Sequence, residues 1–282
     1  MNLSYLDFLE RLRILELEKA LELIRLEKPD SRTFLEIGAG SGWQAKKLSE
    51  RGNSVEAIDI KESDYLEHRI WPVRDYDGKH IPFPDDHFDV VFSSNVLEHI
   101  PHIIEFQKEI QRVLKPDGIA VHLLPSGSWR FWTTMTYYPF WVRFVIRRIL
   151  SKLFSEKSPP LSGRAENSPE TFTTRPLGIR NVLRGLVPHR HGEFGNTLTE
   201  IYYFSRTRWV KVFQNTGWKI RNYSTNKLFY SGYQLFGASI STETRGILST
   251  LFGGSCHIFL LSKNDHLKSY VESGNADSGY TA

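Results

Sequence analysis

Three glycines at alternate positions, Gly38, Gly40 and Gly42, directly follow the short apolar run of residues 33–37. A backbone of glycines can bend sharply and approach a ligand closely, because no side chain stands in the way. The pattern predicts a buried strand that ends in a loop and continues into a helix. In open α/β sheets a nucleotide-like ligand binds at such a turn, where helix N–H groups point towards it.

Three further residues narrow the class of ligand. The dinucleotide-binding pattern requires a third glycine where this chain has Trp43, which argues against NAD or FAD. Glu36 would place a carboxylate beside the loop, where it suits a cation better than a pyrophosphate. Asp59 ends the next apolar run, about 20 residues after the loop, where an Asp accepts hydrogen bonds from ribose hydroxyls. These residues indicate an adenosine without its phosphates.

Five landmarks follow one another in the first half of the chain. They are residues 35–42, Asp59, residues 77–83, residues 88–100 and residues 112–118. Together they resemble the class I S-adenosylmethionine-dependent methyltransferases of the methyltransferase type 11 kind. The resemblance covers residues 31–125, with a looser similarity over 205–263. It implies S-adenosylmethionine as the cofactor and methyl transfer as the reaction.

The same resemblance implies which residues bind the cofactor. The Asp77 carboxylate and the Gly78 backbone would contact the adenine, and Asn95 would lie by the methionine part. An ordinary Asp-Gly turn and a helix cap remain alternatives for these two places. The whole implied set is Glu36, Gly38, Gly40, Asp59, Ile60, Asp77, Gly78 and Asn95.

A hydroxyl acceptor also needs a base to take its proton. The candidates are His99, Glu98 and the cluster of residues 189–193. We select His191 from the cluster, because a histidine near its unperturbed pKa of about 6.5 can accept a proton at neutral pH. His191 and His99 are therefore the predicted catalytic residues.

Residues 95–99 also resemble the Glu-x-x-Glu-His element that binds a divalent cation in ubiquinone-pathway O-methyltransferases and small-RNA 2′-O-methyltransferases. Those enzymes have Glu at the position of Asn95, which is a weaker ligand. The sequence therefore predicts activity without a metal and no metal ligands. His191 or Glu193 could complete a site from the cap. The lack of a nearby thiolate would then favour Mg²⁺ over Zn²⁺.

The rest of the chain has to position these residues. Its 282 residues, 40% of them hydrophobic, fit one large α/β domain with an insertion. With the resemblance, the order of elements implies a Rossmann-like seven-stranded methyltransferase sheet, with helices on both faces and a cap insertion after strand five. The predicted regions are an N-terminal helix (1–30), a cofactor-binding core (31–125), a cap that binds the acceptor (126–204), the C-terminal part of the core sheet (205–263) and a disordered tail (264–282).

The cap differs in composition from the core. Residues 129–154 are rich in aromatics and then continue as a helix with one apolar face and basic residues around it. Too many charges interrupt this segment for it to span a bilayer. We interpret it as a lid helix that packs its apolar face on the domain, and the alternative is a helix that lies flat on anionic lipid. Residues 155–176 are predicted to form a loop.

The net charge and the cysteine content limit which cellular compartment and which partners are expected. A net charge of +4 is compatible with anionic acceptors or a membrane surface, and the single cysteine, Cys256, excludes an internal disulfide. We expect a cytoplasmic protein, with membrane contact through residues 129–154 as an option. The expected acceptor is a small molecule, a glycan or a lipid-linked compound that is methylated at oxygen.

Two other functions stay open as alternatives. A nucleic-acid methyltransferase would carry a dense basic stripe, of which this chain has only a thin version, so nucleic acid is not favoured as a partner. A non-catalytic regulatory protein would not need the whole set of cofactor residues. The arginines of the thin stripe are Arg175, Arg180, Arg184, Arg190, Arg206 and Arg208.

Overall fold

The structure is a computed structural model that describes residues 5–153, 187–231 and 239–264. The loop predicted over 155–176 and nearly all of the predicted tail lie outside these ranges, as do Arg175, Arg180 and Arg184.

The described residues form seven strands and seven α-helices. The strands are β1 (Thr33–Ile37), β2 (Ser54–Ile60), β3 (Arg74–Tyr76), β4 (Phe88–Ser94), β5 (Leu114–Pro125), β6 (Trp218–Thr225) and β7 (Cys256–Lys263). The helices are α1 (Tyr5–Glu27), α2 (Trp43–Ser49), α3 (Ile103–Val113), α4 (Gly127–Leu153), α5 (Glu200–Tyr203), α6 (Arg206–Asn215) and α7 (Thr242–Phe252). Single 3-10 turns cover Leu66–His68 and Leu97–His99.

All seven strands belong to one sheet with the order β3-β2-β1-β4-β5-β7-β6. Strands β1 to β5 run parallel, and β7 is antiparallel to both of its neighbours. The strand order reverses between β1 and β4, so the loops after these two strands diverge and leave a crevice at their carboxyl ends. The predicted seven-stranded Rossmann-like sheet is confirmed.

Helices cover both faces of this sheet, as predicted. Leu35 and Ile37 of β1 pack in one core with α3 and α6, whereas Phe34 packs on the other face with α1. Because both faces are buried, the parallel strands read as nearly continuous apolar runs. The packing fixes β1 and β4 side by side, with Ile37 opposite Ser93.

Helix α4 leaves the sheet at the carboxyl end of β5 and packs mainly against α5. Within the described ranges its apolar face does not pack on the domain, which differs from the lid interpretation. A row of its side chains is 40–51% exposed, because α4 extends well beyond the short helix α5: Phe131, Met135, Tyr138, Val142, Ile146, Ile149 and Leu150. Among the described helices, none has the length and apolar character needed to cross a membrane.

Candidate active site

The glycine loop lies at the carboxyl end of β1, in the crevice. Gly38 and Gly40 have φ angles of +68° and +56°, a region that favours glycine. The Gly38 and Ala39 N–H groups both donate to the Ile58 carbonyl, at 2.9 and 3.0 Å, and tie the loop to β2. A Cβ atom on Gly38 would lie 2.4 Å from a Val96 methyl group. The glycine is therefore required both by the backbone and by the chain that follows β4.

Asp59 lies near the end of β2 and faces the same loop. Its Oδ2 accepts from the Gly40 N–H at 2.9 Å and from the Ser63 hydroxyl at 2.8 Å. Its Oδ1 accepts from the Ile60 N–H at 2.8 Å. The carboxylate thus orders the glycine loop and stands at the edge where the resemblance expects a ribose. The Ile60 side chain is partly exposed beside it.

Glu36 is buried in β1, two residues before Gly38. Burial raises the pKa of its carboxyl group to about 8, although the Ala45 N–H bonds to it. Its Oε2 atom has no hydrogen-bond partner among the residues that the structure describes. A buried carboxylate without a full set of donors is costly. A cationic group of a bound ligand would remove that cost, so Glu36 fits the sulfonium cofactor that the resemblance implies.

Asp77 and Gly78 form a closed turn beside β3. The Asp77 carboxylate accepts from the Lys79 and His80 N–H groups at 2.8 and 2.7 Å, and it pairs with the His80 ring at 2.8 Å. These bonds hold the pKa of Asp77 well below its usual range. The Gly78 carbonyl contacts the His102 ring at 2.9 Å. The ordinary Asp-Gly turn is therefore present, and the adenine contact stays a prediction.

Asn95 follows β4 with a φ of +55°, a left-handed conformation that asparagine tolerates better than most residues. Its N–H donates to the Leu123 carbonyl at 2.8 Å and its side-chain amide to the Ser94 hydroxyl at 3.1 Å. The turn over Leu97–His99 has Val96 before it and no side-chain cap. Asn95 is thus held at the carboxyl edge by local geometry, and the helix-cap alternative is not found.

Glu98, His99 and His191 come together where the Leu97–His99 turn meets the cap. The Nε2 atom of His99 lies 3.7 Å and that of His191 3.9 Å from the same Glu98 oxygen, Oε1. The His99 and His191 rings have their centroids 5.1 Å apart. The structure therefore unites both predicted catalytic histidines with the third candidate, Glu98. The carboxylate is buried and each ring is partly exposed.

A buried ion pair positions His191. Arg130 of α4 pairs with Glu200 of α5 at 2.7 Å. The other Glu200 oxygen accepts from the backbone N–H groups of His191 and Gly192, at 2.6 and 2.7 Å. The sequence gives no sign of Arg130 and Glu200, because neither belongs to a motif and the two residues meet only in the fold. Gly192, next to His191, is the one residue of this arrangement whose type hints at a close contact in the sequence. A Cβ atom on it would lie 3.1 Å from the Glu98 carbonyl oxygen.

The electrostatics of this cluster correct one prediction. Burial, followed by the neighbouring His99, Arg130 and Arg13, lowers the pKa of His191 to about 3, so the expected ordinary pKa was wrong. Burial also lowers the pKa of His99 and raises that of Glu98 to about 8. Sequence reasoning could not foresee these shifts, because they come from neighbours that the fold brings in.

Aromatic side chains surround the exposed part of the cluster. The Trp129 ring lies 4.9 Å and the Phe204 ring 6.1 Å from the His191 ring, centroid to centroid. A cleft beside Glu98 is lined by further aromatics and one arginine: Phe194, Tyr203, Phe204, Arg208 and Trp209. These side chains help to bury the Glu98 carboxylate, whereas both histidines remain partly exposed.

Comparison with known proteins finds methyltransferases. Residues 35–122 match the family described as "Methyltransferase domain". The biotin biosynthesis bifunctional protein BioHC of Cellvibrio japonicus (strain Ueda107) is 27% identical over 170 residues, which are 57% of this chain and 34% of that protein. An uncharacterized methyltransferase of Mycobacterium tuberculosis (strain ATCC 25618 / H37Rv) is 36% identical over 104 residues, 34% of this chain and 40% of that one. The chain thus spans well under half the length of these relatives.

Solved structures of low sequence identity align with most of the chain. An S-adenosylmethionine-dependent methyltransferase of Mesorhizobium loti aligns with a TM-score of 0.47 at 13% identity, over 85% of this chain and 95% of its own. The 1,6-didemethyltoxoflavin-N1-methyltransferase of Burkholderia thailandensis, solved with S-adenosylhomocysteine, aligns with a TM-score of 0.46 at 11% identity, over 88% and 78%. Residues 35–122 match a methyltransferase domain, and the strand order of the sheet that contains them agrees with the class I S-adenosylmethionine-dependent methyltransferase fold expected from the sequence.

Proposed function

We propose that the protein transfers a methyl group from S-adenosylmethionine to a hydroxyl group of a small-molecule, glycan or lipid-linked acceptor. The observation that carries the proposal is that two groups of residues lie at the same carboxyl edge of the sheet. The loop of Gly38 and Gly40 follows β1 and bonds to Asp59 near the end of β2, whereas Glu98 and His99 follow the neighbouring strand β4 and are joined there by His191 of the cap. Cofactor and acceptor would thus meet between them.

Different residues bind the cofactor and accept the proton in the proposed reaction. When bound, S-adenosylmethionine supplies a methyl group on a sulfonium, which is a good leaving group. The glycine loop, Asp59 and Glu36 hold the cofactor, and alignment of the acceptor oxygen with the methyl carbon provides most of the rate. As the new C–O bond forms and the C–S bond breaks, the hydroxyl proton passes to the cluster, for which we propose His191 as acceptor and His99 as its neighbour.

The two other candidate functions receive less support. A nucleic-acid enzyme needs basic side chains free to contact phosphates. In the described part of the chain, Arg206 lies 4.2 Å above the Tyr223 ring and Arg208 lies 4.5 Å above the Trp209 ring, so these two stack on their own domain. A regulatory protein without activity would have no use for the buried carboxylate of Glu98 beside two histidines.

A methyl-transfer assay with a fractionated cell extract tests this function. The chain is incubated with methyl-labelled S-adenosylmethionine, and the extract is then partitioned into lipid and aqueous phases for mass spectrometry. We expect an O-methylated product to form only with the active chain, and the phase that contains it identifies the acceptor class. Absence of product in both phases, from a chain that binds the cofactor, would contradict the proposed function.

The exposed row of α4 favours a lipid-linked acceptor among the three classes. The apolar side chains from Phe131 to Leu150 lie on one side of the helix, and the exposed residues Arg143 and Arg147 flank them. Apolar side chains flanked by cations suit an anionic membrane surface. We therefore propose that the protein is cytoplasmic and docks through α4 on such a surface, beside the cap that binds the acceptor.

Flotation with liposomes tests this docking. We expect the chain to float with anionic vesicles at low salt and to lose binding as salt rises, because screening weakens the attraction of Arg143 and Arg147. Ile146→Glu should abolish flotation, since it places a charge among the apolar side chains. Ile104→Glu changes an exposed isoleucine of α3 and serves as the matched control. Equal flotation of both variants, or none of the unmodified chain, would reject docking through α4.

A further inference from the structure

The buried carboxylate of Glu98 lacks hydrogen-bond partners in the described part of the chain, although burial makes such partners necessary. Its side chain is fully buried, and neither oxygen has a hydrogen-bond partner among the residues of the described ranges. His99 and His191 both present Nε2 to Oε1, but at 3.7 and 3.9 Å they are too distant for hydrogen bonds. Native proteins rarely leave a buried carboxylate in this condition, so the arrangement points to a group that fits between the three side chains.

We propose that Glu98, His99 and His191 bind one divalent transition-metal ion, Zn²⁺ by preference. Their ligand atoms all lie within 4.8 Å of one another. Ligands of a single zinc ion are roughly 3.3 Å apart, for bonds of about 2.0–2.1 Å in a tetrahedron, so binding would draw the two rings slightly towards the carboxylate. Two imidazoles and one carboxylate are a donor set of catalytic zinc sites, which leave the fourth position open.

The surroundings permit both the charge and the access of an ion. Two arginines near His191, Arg130 and Arg13, each pair with a buried glutamate, Glu200 and Glu16, which balances their positive charges. Glu193 adds negative charge near His99. The His99 and His191 side chains are 46% and 39% exposed, so an ion can enter from solvent. The ion pair also fixes the backbone at His191, which orients one ligand before the metal arrives.

This inference revises the expectation of a site without metal. That expectation rested on Asn95, whose amide donates to Ser94 and whose oxygen faces the Cys256 thiol at 3.8 Å. The third ligand comes instead from the cap, through His191. Two imidazole nitrogens also reverse the expected preference for Mg²⁺, which selects oxygen ligands. The proposal goes beyond methyl transfer, because metal binding is measured without cofactor or acceptor. While an ion is bound, the Nε2 atom of His191 holds it and takes no proton, so the base of the proposed function acts only in the metal-free chain.

Calorimetric titration of the chelator-treated chain with Zn²⁺ tests the site directly, and Co²⁺ provides a spectroscopic probe. We expect one tight Zn²⁺ per chain and the d–d absorption of low-coordinate Co²⁺. Glu98→Gln and His191→Ala should each weaken zinc binding by more than about 100-fold, since loss of an outer partner alone can cost that much. Glu98→Gln keeps the size of the side chain, so it separates loss of a ligand from loss of the fold.

His87→Ala is the matched control. This histidine is exposed at the other end of β4, where its ring packs against Phe83 and Phe88. It should keep full zinc affinity and the same cobalt spectrum. Equal zinc binding by the unmodified chain and by folded Glu98→Gln would overturn the proposal, as would an equal loss in His87→Ala. Thermal melting of each variant without metal verifies that it is folded.

Discussion

Replacing Asp59 by alanine is expected to weaken the binding of S-adenosylmethionine by roughly 10- to 150-fold, the value of a charge-assisted hydrogen bond of about 1.5–3 kcal/mol. The loss of cofactor affinity has two causes. The carboxylate would no longer accept from the ribose hydroxyls, and the Gly40 N–H and Ser63 hydroxyl would lose their acceptor, so the loop would be less ordered before binding. Titration calorimetry with the purified chain measures the dissociation constant.

Two further variants separate the loss of the ribose contact from the loss of loop order. Asp59→Asn keeps an oxygen that can accept from Gly40 and removes only the charge, so we expect an intermediate affinity and little change in thermal stability. Asp117→Ala removes an exposed carboxylate that pairs with Lys28 at 2.7 Å, near the start of β5, and should leave cofactor affinity unchanged. An unchanged constant for Asp59→Ala would reject Asp59 as a cofactor ligand, and no heat from the unmodified chain would reject the cofactor itself.

Replacing His191 by alanine is expected to lower turnover by about 100-fold while cofactor affinity stays the same. General bases contribute roughly 10²- to 10⁴-fold to a rate, and the pKa of about 3 makes His191 a weak base, which places the effect at the low end. The residues that hold the cofactor in the proposal belong to β1, the loop after it and the end of β2, so the substitution leaves their contacts in place. Initial rates with the labelled acceptor fraction, together with calorimetry, measure both quantities.

Chelation distinguishes a base from a metal ligand at His191. If the chelated, unmodified chain keeps its turnover and His191→Ala loses it, the imidazole acts by itself. If chelation lowers turnover as much as the substitution does and Zn²⁺ restores only the unmodified chain, the imidazole acts through the ion. His87→Ala should be active in both series. Nearly unchanged turnover of His191→Ala would remove this residue from the mechanism.

Local requirements explain the part of the site that sequence reasoning found. A left-handed backbone that contacts its neighbours demands glycine at Gly38 wherever this turn occurs, so the type and spacing of residues reveal the loop. Asp59 was readable for the same reason, because it ends a buried apolar strand at a fixed distance from the loop. The βαβ order then decides the parallel sheet, since crossovers between neighbouring parallel strands have one hand.

Short or partly exposed elements could not be predicted from the sequence. Strand β3 has only three residues, Arg74–Tyr76, and none of them is buried, so it has no apolar pattern. Its place at the sheet edge comes from pairing with β2, where Asp59 lies opposite Asp75. Helix α7 was missed as well. The exposed face of α4 was assigned to the domain because an amphipathic pattern shows which face is apolar and not what covers it.

The sequence by itself determined the class of fold, the glycine loop and the residues that the resemblance assigns to the cofactor, because these depend on neighbours within a few residues. Only the tertiary structure decided the chemistry of the cluster of Glu98, His99 and His191. His191 is distant in sequence from Glu98 and His99, and it reaches them because Arg130 and Glu200 hold its loop. Burial and neighbouring charges then set the pKa values of all three groups, and such long-range terms have no counterpart in the order of residues.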